Sequence, residues 1–291
     1  MNNPDPPLSR FAELHSHSDH SDGTFGPEKV VEIAHSVGLA ALALTDHDTV
    51  SGIAAARARA AQLDLDFIAG VEFSSHVGEK EVHILGLFID DRDLALITAT
   101  EQARRFRRER AEVIVGKLRD LRLGVDFAGV ESAAGSASIG RPHIATALVE
   151  VGAVSNVDAA FRRYIGNAGP AFVPKPTLSA NEVIEVIHGA GGAAILAHPA
   201  SSRVADRTIL DLADIGLDGF EVVHPKHKKA QQARLRRLID SSGLLPSAGS
   251  DFHGPGGGRT SMGSCAAPLE WKEALRLRAD EHARRVASLL A

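Results

Sequence analysis

The chain has 291 residues, 44% of them hydrophobic, with a formal charge of −5. This length supports one large core or a core with a small second unit, and the acidic balance excludes the global basic field that drives binding to long nucleic acid or anionic membranes. One cysteine, Cys265, excludes an internal disulfide and disfavours a thiolate zinc site, whereas 14 histidines supply imidazole ligands.

Short apolar runs alternate with helical patterns in the first third of the chain and again near its end. Strands are predicted over residues 11–15, 40–45, 66–72, 81–89, 193–197, 219–223 and 245–250. Helices are predicted over residues 27–37, 50–63, 179–188 and 226–241 and from residue 269 onward. This βα rhythm is typical of an α/β barrel, in which the strand ends and the loops after them meet at one face.

Residues 99–175 show helical periodicity without a convincing strand, so we predict a small helical subdomain inserted into the barrel. The barrel itself would then comprise residues 1–98 and 176–291. An insertion after the fourth strand would rise over the face where the strand ends meet and would act as a lid or a substrate wall.

Residues with metal-ligating side chains lie within or directly after the predicted strands. His15 and His17 are one residue apart, so the two-residue period of a strand points both imidazoles to the same side. The complete set is His15, His17, Asp22, His47, Glu72, His83, His198, Asp251 and His253. A single histidine is more often an ordinary structural residue, but nine ligand-type residues in this placement indicate a metal site at the barrel mouth.

Six histidines and three carboxylates exceed the three or four ligands that one ion needs, so the sequence predicts at least two ions. Glu72 is the candidate bridge between them. Imidazole mixed with carboxylate suits manganese, iron or zinc and suits calcium poorly. The assignment of His83 depends on strand register, because a shift of one residue would turn its side chain to the other face.

The order of these motifs resembles that of the PHP (polymerase and histidinol phosphatase) family. The matching segments are His15-Ser16-His17 with Asp22-Gly23, Thr45-Asp46-His47-Asp48, Gly70-Val71-Glu72, His83, Ala197-His198-Pro199 and Gly249-Ser250-Asp251-Phe252-His253. The resemblance implies a distorted (β/α)7 TIM-like barrel that hydrolyses phosphoesters with a metal-activated hydroxide. It also implies three divalent ions, expected to be Mn²⁺ with Fe²⁺ or Zn²⁺ as alternatives.

The resemblance further implies how the ligands divide among the ions. One ion would be held by His15, His17, Glu72 and Asp251, a second by Glu72, His83 and His198, and a third by Asp22, His47 and His253.

The motif Gly140-Arg141-Pro142-His143, the helical insertion and the ending Ser250-Asp251-Phe252-His253-Gly254-Pro255 resemble one subgroup of that family. The subgroup implies removal of the 3′-phosphate from nucleoside 3′,5′-bisphosphates and trimming of short RNA from its 5′ end. A histidinol-phosphate phosphatase and a polymerase-associated proofreading module are the enzymatic alternatives. A binding or scaffold protein stabilised by its ions is the non-enzymatic alternative. Substituted metal ligands would indicate such a protein, and all nine ligands are present in this sequence.

Four residues are candidates for contacts to the substrate. Arg141 can clasp a phosphate through its guanidinium fork, and His143 follows it at a predicted helix start. Lys175, where the insertion rejoins the barrel, could reach the same anion. His227 follows the sixth strand and could bind phosphate or protonate the leaving group. We predict substrate binding by all four and catalytic roles for Arg141, His143 and His227.

Several other features have more ordinary interpretations. The five arginines of residues 104–110 are interpreted as part of a solvated helix, with attraction of anionic substrate as the alternative. Asp46 and Asp48 are expected to orient imidazoles rather than to bind an ion. The glycine-rich run 254–259 lacks the Gly-Lys-Ser/Thr ending of a P-loop and is interpreted as a rim. The histidines interpreted as ordinary are His20, His35, His76, His188 and His224.

These observations limit the partners of the protein. Aromatic residues make up only 4% of the chain, which disfavours a stacking platform for long single strands. No stretch approaches the roughly 18 apolar residues that span a membrane, and no signal peptide is recognisable. We therefore expect a cytoplasmic protein that binds a small phosphorylated nucleotide or a short oligoribonucleotide, and neither long DNA nor membrane.

Overall fold

The structure is a computed structural model that describes residues 8–255 and 261–290. Its strands are β1 (Phe11–Glu13), β2 (Ala41–Leu44), β3 (Asp66–Val77), β4 (Lys80–Leu87), β5 (Leu178–Ser179), β6 (Ala193–Leu196), β7 (Gly219–Val223), β8 (Leu245–Ala248) and β9 (Ala267–Pro268). Its α-helices are α1 (Pro27–Ser36), α2 (Ile53–Gln62), α3 (Leu94–Asp120), α4 (Phe127–Ala134), α5 (Arg141–Glu150), α6 (Val157–Ala160), α7 (Ala180–Gly189), α8 (Asp206–Asp214), α9 (Lys229–Ser242) and α10 (Leu269–Leu290). A 3-10 turn covers Leu8–Arg10 and a π turn covers Phe161–Ile165.

The sheet follows the order β8-β7-β6-β4-β3-β2-β1-β9, with β5 paired to β3. Neighbouring strands are parallel from β1 to β3 and from β6 to β8. A parallel bridge between Ser16 and Phe252 joins the segments that follow β1 and β8, so the sheet is nearly closed. The predicted distorted α/β barrel is confirmed, and all seven predicted strands are present.

The fourth strand differs from a regular βα barrel, because β4 runs antiparallel to both β3 and β6. Only Gly78 and Glu79 separate Val77 from its partner Lys80, and Gly78 has a positive φ of 57°. A loop of two residues can connect only antiparallel strands, since a parallel connection needs a crossover of a dozen or more residues. This hairpin extends β3 five residues beyond its predicted end at residue 72.

The core of the barrel consists of side chains from strands that are buried on both faces. All four residues of β2 and all four of β6 are buried, as expected where helices cover the outside and side chains fill the inside. Within the described residues, no helix has both the length and the apolarity needed to cross a lipid bilayer.

Residues 99–175 contain helices and no strand. A separate apolar cluster joins the second half of α3 to α4, α5 and α6, with Ile114, Leu118, Ile144 and Leu148 at its centre. The first half of α3, which begins at Leu94, packs instead against α7 and β3 of the barrel. This long helix therefore connects the two cores.

Candidate active site

The structure brings all nine predicted metal ligands together at one end of the barrel. His15, His17, His47, His198, Asp251 and His253 follow the carboxyl ends of their strands, Asp22 lies on the loop after His17, and Glu72 lies within β3. His83 lies in the first half of β4, because that strand runs in the opposite direction and its beginning is at the same end of the barrel. The register predicted for His83 therefore turns its imidazole toward the other ligands.

Glu72 is the centre of this ligand cluster. Its Oε1 lies 2.8 Å from His83 Nδ1 and 3.2 Å from His198 Nε2. Its Oε2 lies 3.2 Å from the Nε2 atoms of His15 and His17 and 3.0 Å from His47 Nδ1. One carboxylate thus contacts five imidazoles, so its two oxygens face two different groups of candidate ligands.

Asp22 and His253 complete the cluster on the side of His17. His253 Nδ1 donates to the backbone carbonyl of Asp251 at 2.8 Å, which leaves the lone pair of Nε2 facing Asp22 Oδ1 at 3.1 Å. The rings of His17 and His253 stack with centroids 4.2 Å apart. The Oδ1 atom of Asp251 lies 3.5 Å from His15 Nε2 and 3.4 Å from His17 Nε2.

The donor atoms fit divalent cations. His15 Nε2 and His17 Nε2 face each other at 3.1 Å, close to the roughly 3.0–3.4 Å between neighbouring ligands of an ion with bonds of about 2.1 Å. The buried Nδ1 of His47 has no hydrogen-bond partner among the described residues, although Glu72 Oε2 is near. Such convergence of nitrogen and oxygen lone pairs is favourable only around a positive charge.

The charges of the cluster lead to the same conclusion. Burial alone would raise the pKa of Glu72, but His47, His15 and His83 hold it well below its usual range. Burial disfavours protonation of His15, yet Glu221, Glu72 and Asp251 together raise its pKa well above the ordinary value. The site is therefore a concentration of buried negative charge that attracts cations.

Glu221 holds two residues of the ligand cluster in place, and the sequence analysis did not identify it. Its Oε1 accepts from His15 Nδ1 at 3.0 Å, and its Oε2 accepts from the backbone N–H of His198 at 2.6 Å. The first bond fixes the His15 tautomer and directs the lone pair of Nε2 into the cluster. The available signal was a single carboxylate inside the apolar strand β7, where an unpaired charge would be costly.

His224 was interpreted as an ordinary histidine, and the structure instead places it beside the cluster. Its buried Nε2 lies 3.4 Å from Asp251 Oδ2, and its ring centroid is 5.3 Å from that of His198. Lys226 Nζ lies 2.8 Å from the same carboxylate oxygen. Asp251 therefore contacts His15 and His17 through Oδ1 and contacts His224 and Lys226 through Oδ2.

Asp46 and Asp48 were expected to orient imidazoles, but Asp46 holds a loop and Asp48 holds a strand residue and an arginine. Asp46 accepts from the backbone N–H of Ser18 at 2.7 Å and from the hydroxyls of Ser18 and Ser21. Asp48 accepts from the backbone N–H of Ser74 at 2.8 Å and from Arg107 Nε. Neither carboxylate makes a described hydrogen bond to an imidazole, so the first fixes the loop that carries His17 and Asp22 and the second holds an arginine.

The arginines of residues 104–110 were interpreted as part of a solvated helix. The positions of Arg107 and Arg110 show that this interpretation was wrong for two of them. They lie almost one turn apart on α3, and both are buried, whereas Arg104, Arg105 and Arg108 are exposed. Arg107 Nη2 donates to Ser74 Oγ at 3.0 Å, and Arg110 Nε donates to the carbonyl of Val173 at 2.8 Å. The helix therefore places two arginines of the run beside the cluster.

Arg141 and Lys175 line the same cavity. Arg141 Nη1 donates to Asn167 Oδ1 at 2.9 Å, and its guanidinium lies 5.6 Å from the Phe161 ring centroid. The side chain of Lys175 is only 6% exposed and contacts Ser74 Oγ, with its Nζ 3.4 Å from Glu81 Oε1. These two residues, Arg107 and Arg110 are called the cation group below. They line a cavity of about 800 Å³ together with Glu81, His83 and His198.

The cation group carries more positive charge than its neighbours neutralise. Within the described residues, only two carboxylates, Asp48 and Glu81, contact its four side chains. Burial lowers the pKa of Lys175 to about 8, and the nearby Arg107 adds to this effect. Burial and the charge of Arg141 lower the pKa of Arg110 to about 10. A bound anion would relieve both effects.

His143 and His227 have different surroundings. His143 Nδ1 accepts from the Gly140 backbone N–H at 2.9 Å, so the proton of the neutral ring is on Nε2, and the residue lines a cavity of about 1330 Å³ that also contains the cluster. His227 does not line that cavity, and its ring nitrogens contact the Val222 carbonyl and the Ala200 N–H. This arrangement corrects the predicted substrate contact of His227, since neither nitrogen is available.

Comparison with known proteins agrees with this geometry. Residues 13–115 match the model of the PHP domain. The chain is 36% identical over 256 residues to a 3′,5′-nucleoside bisphosphate phosphatase of Chromobacterium violaceum, covering 86% of this chain and 90% of that protein. It is 35% identical over 254 residues to a 5′-3′ exoribonuclease of Haemophilus influenzae, covering 86% and 92%. A solved protein of Bifidobacterium adolescentis, described as a predicted metal-dependent phosphoesterase, superposes with a TM-score of 0.87 at 29% identity, covering 94% and 98%.

Proposed function

The chain belongs to the PHP family of metal-dependent phosphoester hydrolases, and from that premise we propose that it removes the 3′-phosphate of nucleoside 3′,5′-bisphosphates. The observation that carries this proposal is the position of the cation group beside the ligand cluster. The two cavities share part of their lining, namely Asp22, His47, His83, Pro142, Phe161 and His198. A substrate with two phosphates can therefore place one at each site.

We propose that the nine ligands hold three divalent ions. Mn²⁺ is the metal we expect, with Fe²⁺ or Zn²⁺ as alternatives. His15, His17, Glu72 and Asp251 would hold one ion, Glu72, His83 and His198 a second, and Asp22, His47 and His253 a third. Bound ions would lower the pKa of water toward neutrality and neutralise charge on the phosphoryl oxygens. The contacts of Glu72 to five imidazoles support its role as the shared ligand.

The remaining residues would bind and orient the substrate. Arg141, Arg107, Arg110 and Lys175 would hold the 5′-phosphate, with the guanidinium of Arg141 presenting its planar fork. His143 would donate from Nε2 to an oxygen of the phosphate being removed, and burial supports this by lowering its pKa and keeping the ring neutral. We assign no contact to His227.

The helical segment 99–175 would act as the substrate wall of this site. It contributes Arg107, Arg110, Arg141 and His143, and its last residue, Lys175, also lines the cavity. Trimming of short 5′-phosphorylated RNA is the second candidate function, favoured by the similarity to the Haemophilus exoribonuclease. Histidinol phosphate has one phosphate and would leave the cation group unmatched. The cytoplasmic location stays a prediction.

The test of the proposed function is phosphate release by the Mn²⁺-loaded protein from four compounds. They are adenosine 3′,5′-bisphosphate, 3′-AMP, histidinol phosphate and a short 5′-phosphorylated RNA. We expect kcat/KM for the bisphosphate to exceed that for 3′-AMP by about 100-fold, because charge-assisted hydrogen bonds to the second phosphate contribute about 2–3 kcal/mol. Equal turnover of 3′-AMP would disprove the second phosphate site, and turnover of histidinol phosphate alone would disprove the substrate class.

The low pKa of Lys175 leads to a prediction about pH. As pH rises through about 8, Lys175 loses its proton and its attraction for the 5′-phosphate, so KM for the bisphosphate should rise several-fold between pH 7 and 9. KM for 3′-AMP, which lacks that phosphate, should change much less. Lys175→Arg keeps its charge over this range and should remove the difference. A parallel rise for both substrates, or a rise retained in the variant, would assign the titration to another group.

A further inference from the structure

The outward face of α3 carries three arginines that the proposed function does not use. Arg104, Arg105 and Arg108 are exposed and line a surface groove of about 440 Å³ between α3 and the segment that follows α4. The groove is also lined by Glu101, Glu131, Gly135, Ser136, Ala137 and Ile139. We call it the arginine groove.

Among the residues that the structure describes, no carboxylate pairs with two of the three arginines. Arg108 pairs with Glu131 at 2.7 Å and with Glu112 at 3.3 Å, and its guanidinium lies 4.8 Å from the Phe127 ring centroid. Arg104 Nη2 donates only to the carbonyl of Ser136 at 3.2 Å, and Arg105 makes no ion pair with the described part of the chain. Arg104 and Arg105 thus have donors available for an anion.

The groove is continuous with the larger cavity of the active site. Gly135 and Ser136 line both, and Ser136 is the residue whose carbonyl Arg104 contacts. The cavity extends from this junction to the ligand cluster, where Glu72 and Asp251 also line it. The cation group lines a different cavity, which does not include Gly135 or Ser136. A chain held by its 5′-phosphate at the cation group would therefore pass the ligand cluster before it reached the arginine groove.

We propose that the arginine groove binds the backbone phosphates of nucleotides that lie 3′ of the bond being cleaved in a short 5′-phosphorylated oligoribonucleotide. This inference rests on the proposed function, because it assumes that the first nucleotide occupies the two phosphate sites. Binding is independent of base sequence, since guanidinium groups contact phosphates and none of the described residues that line the groove is aromatic. The groove gives longer substrates an additional contact that a mononucleotide cannot make.

The test compares two double variants with the same change of charge. Arg104→Gln/Arg105→Gln removes the two available arginines of the groove. Arg236→Gln/Arg237→Gln removes two adjacent exposed arginines of α9 and serves as the control. The Mn²⁺-loaded proteins are assayed with adenosine 3′,5′-bisphosphate and with a 5′-phosphorylated dinucleotide and pentanucleotide, from 50 to 300 mM KCl.

We expect the groove variant to lose about 5- to 20-fold in kcat/KM for the pentanucleotide at low salt, and the slope of log kcat/KM against log salt to become shallower by about 1. The dinucleotide should lose less, and the bisphosphate should be unaffected in both variants. An equal loss for bisphosphate and pentanucleotide, or no loss for either, would overturn the groove as a strand site. A parent protein that hydrolyses the bisphosphate but no oligonucleotide would overturn this inference alone, whereas trimming of RNA without turnover of the bisphosphate would overturn only the proposed substrate.

Discussion

Glu72→Gln should lower kcat by about 10³-fold or more, because even residues behind metal ligands affect activity by about 10- to 100-fold and Glu72 would contact the ions directly. Glutamine has nearly the same shape, so the substitution removes a charge and one acceptor oxygen without leaving a cavity. The lost oxygen would face either His83 and His198 or His15, His17 and His47. Metal content, measured by atomic emission after dialysis, should fall with kcat.

The matched control for this variant is Glu79→Gln, in the exposed turn between β3 and β4. It makes the same chemical change a few residues away and should leave metal content and kcat within about twofold, as expected for a surface substitution. A Glu72→Gln protein with full metal content and kcat near that of the parent would show that Glu72 does not bridge the ions.

Arg141→Gln should lower kcat/KM for adenosine 3′,5′-bisphosphate by about 30- to 100-fold, because a charge-assisted hydrogen bond to phosphate contributes about 2–3 kcal/mol. The effect on 3′-AMP should stay within about threefold, since that substrate lacks the 5′-phosphate. Arg141→Lys keeps the charge and loses the planar fork, so it should recover only part of the activity. Steady-state kinetics on both substrates measure the difference.

Arg162→Gln is the control for this prediction, since Arg162 is exposed in the same helical segment and does not line either cavity. It should leave both substrates unchanged. If Arg141→Gln reduced turnover of 3′-AMP as strongly as that of the bisphosphate, Arg141 would act by positioning the ligand cluster or the His143 helix, and the second phosphate site would have to lie elsewhere.

The fold class and the ligand cluster were accessible from the sequence because both follow from local patterns. The two-residue period of a strand places His15 and His17 on one side, and the barrel brings the ends of its strands to one face. The hairpin that reverses the direction of β4 could also have been predicted from the sequence, since Gly78 and Glu79 form a two-residue connection between Val77 and Lys80. The prediction missed it by ending the third strand at residue 72.

The residues that lie beside the candidate metal ligands could not be predicted from the sequence in the same way. Glu221 is 206 residues from His15 in the chain, and an isolated acid in a strand does not identify its partner. His224 was interpreted as an ordinary histidine, and His227 looked available until the structure showed both its nitrogens in contact with the backbone. Such contacts depend on how distant segments pack.

The arginines of residues 104–110 could likewise be predicted only in part. Helical periodicity spreads residues 104–110 around α3, but it does not tell which face is inward. The structure decided this, because the first half of α3 packs on the barrel and turns Arg107 and Arg110 toward the active site, leaving Arg104 and Arg105 at the surface. Strand periodicity is local, so the chemical groups at the strand ends could be predicted from the order of the residues. The charges that surround these groups could not be predicted in this way, because burial and pairing depend on contacts between segments far apart in the chain.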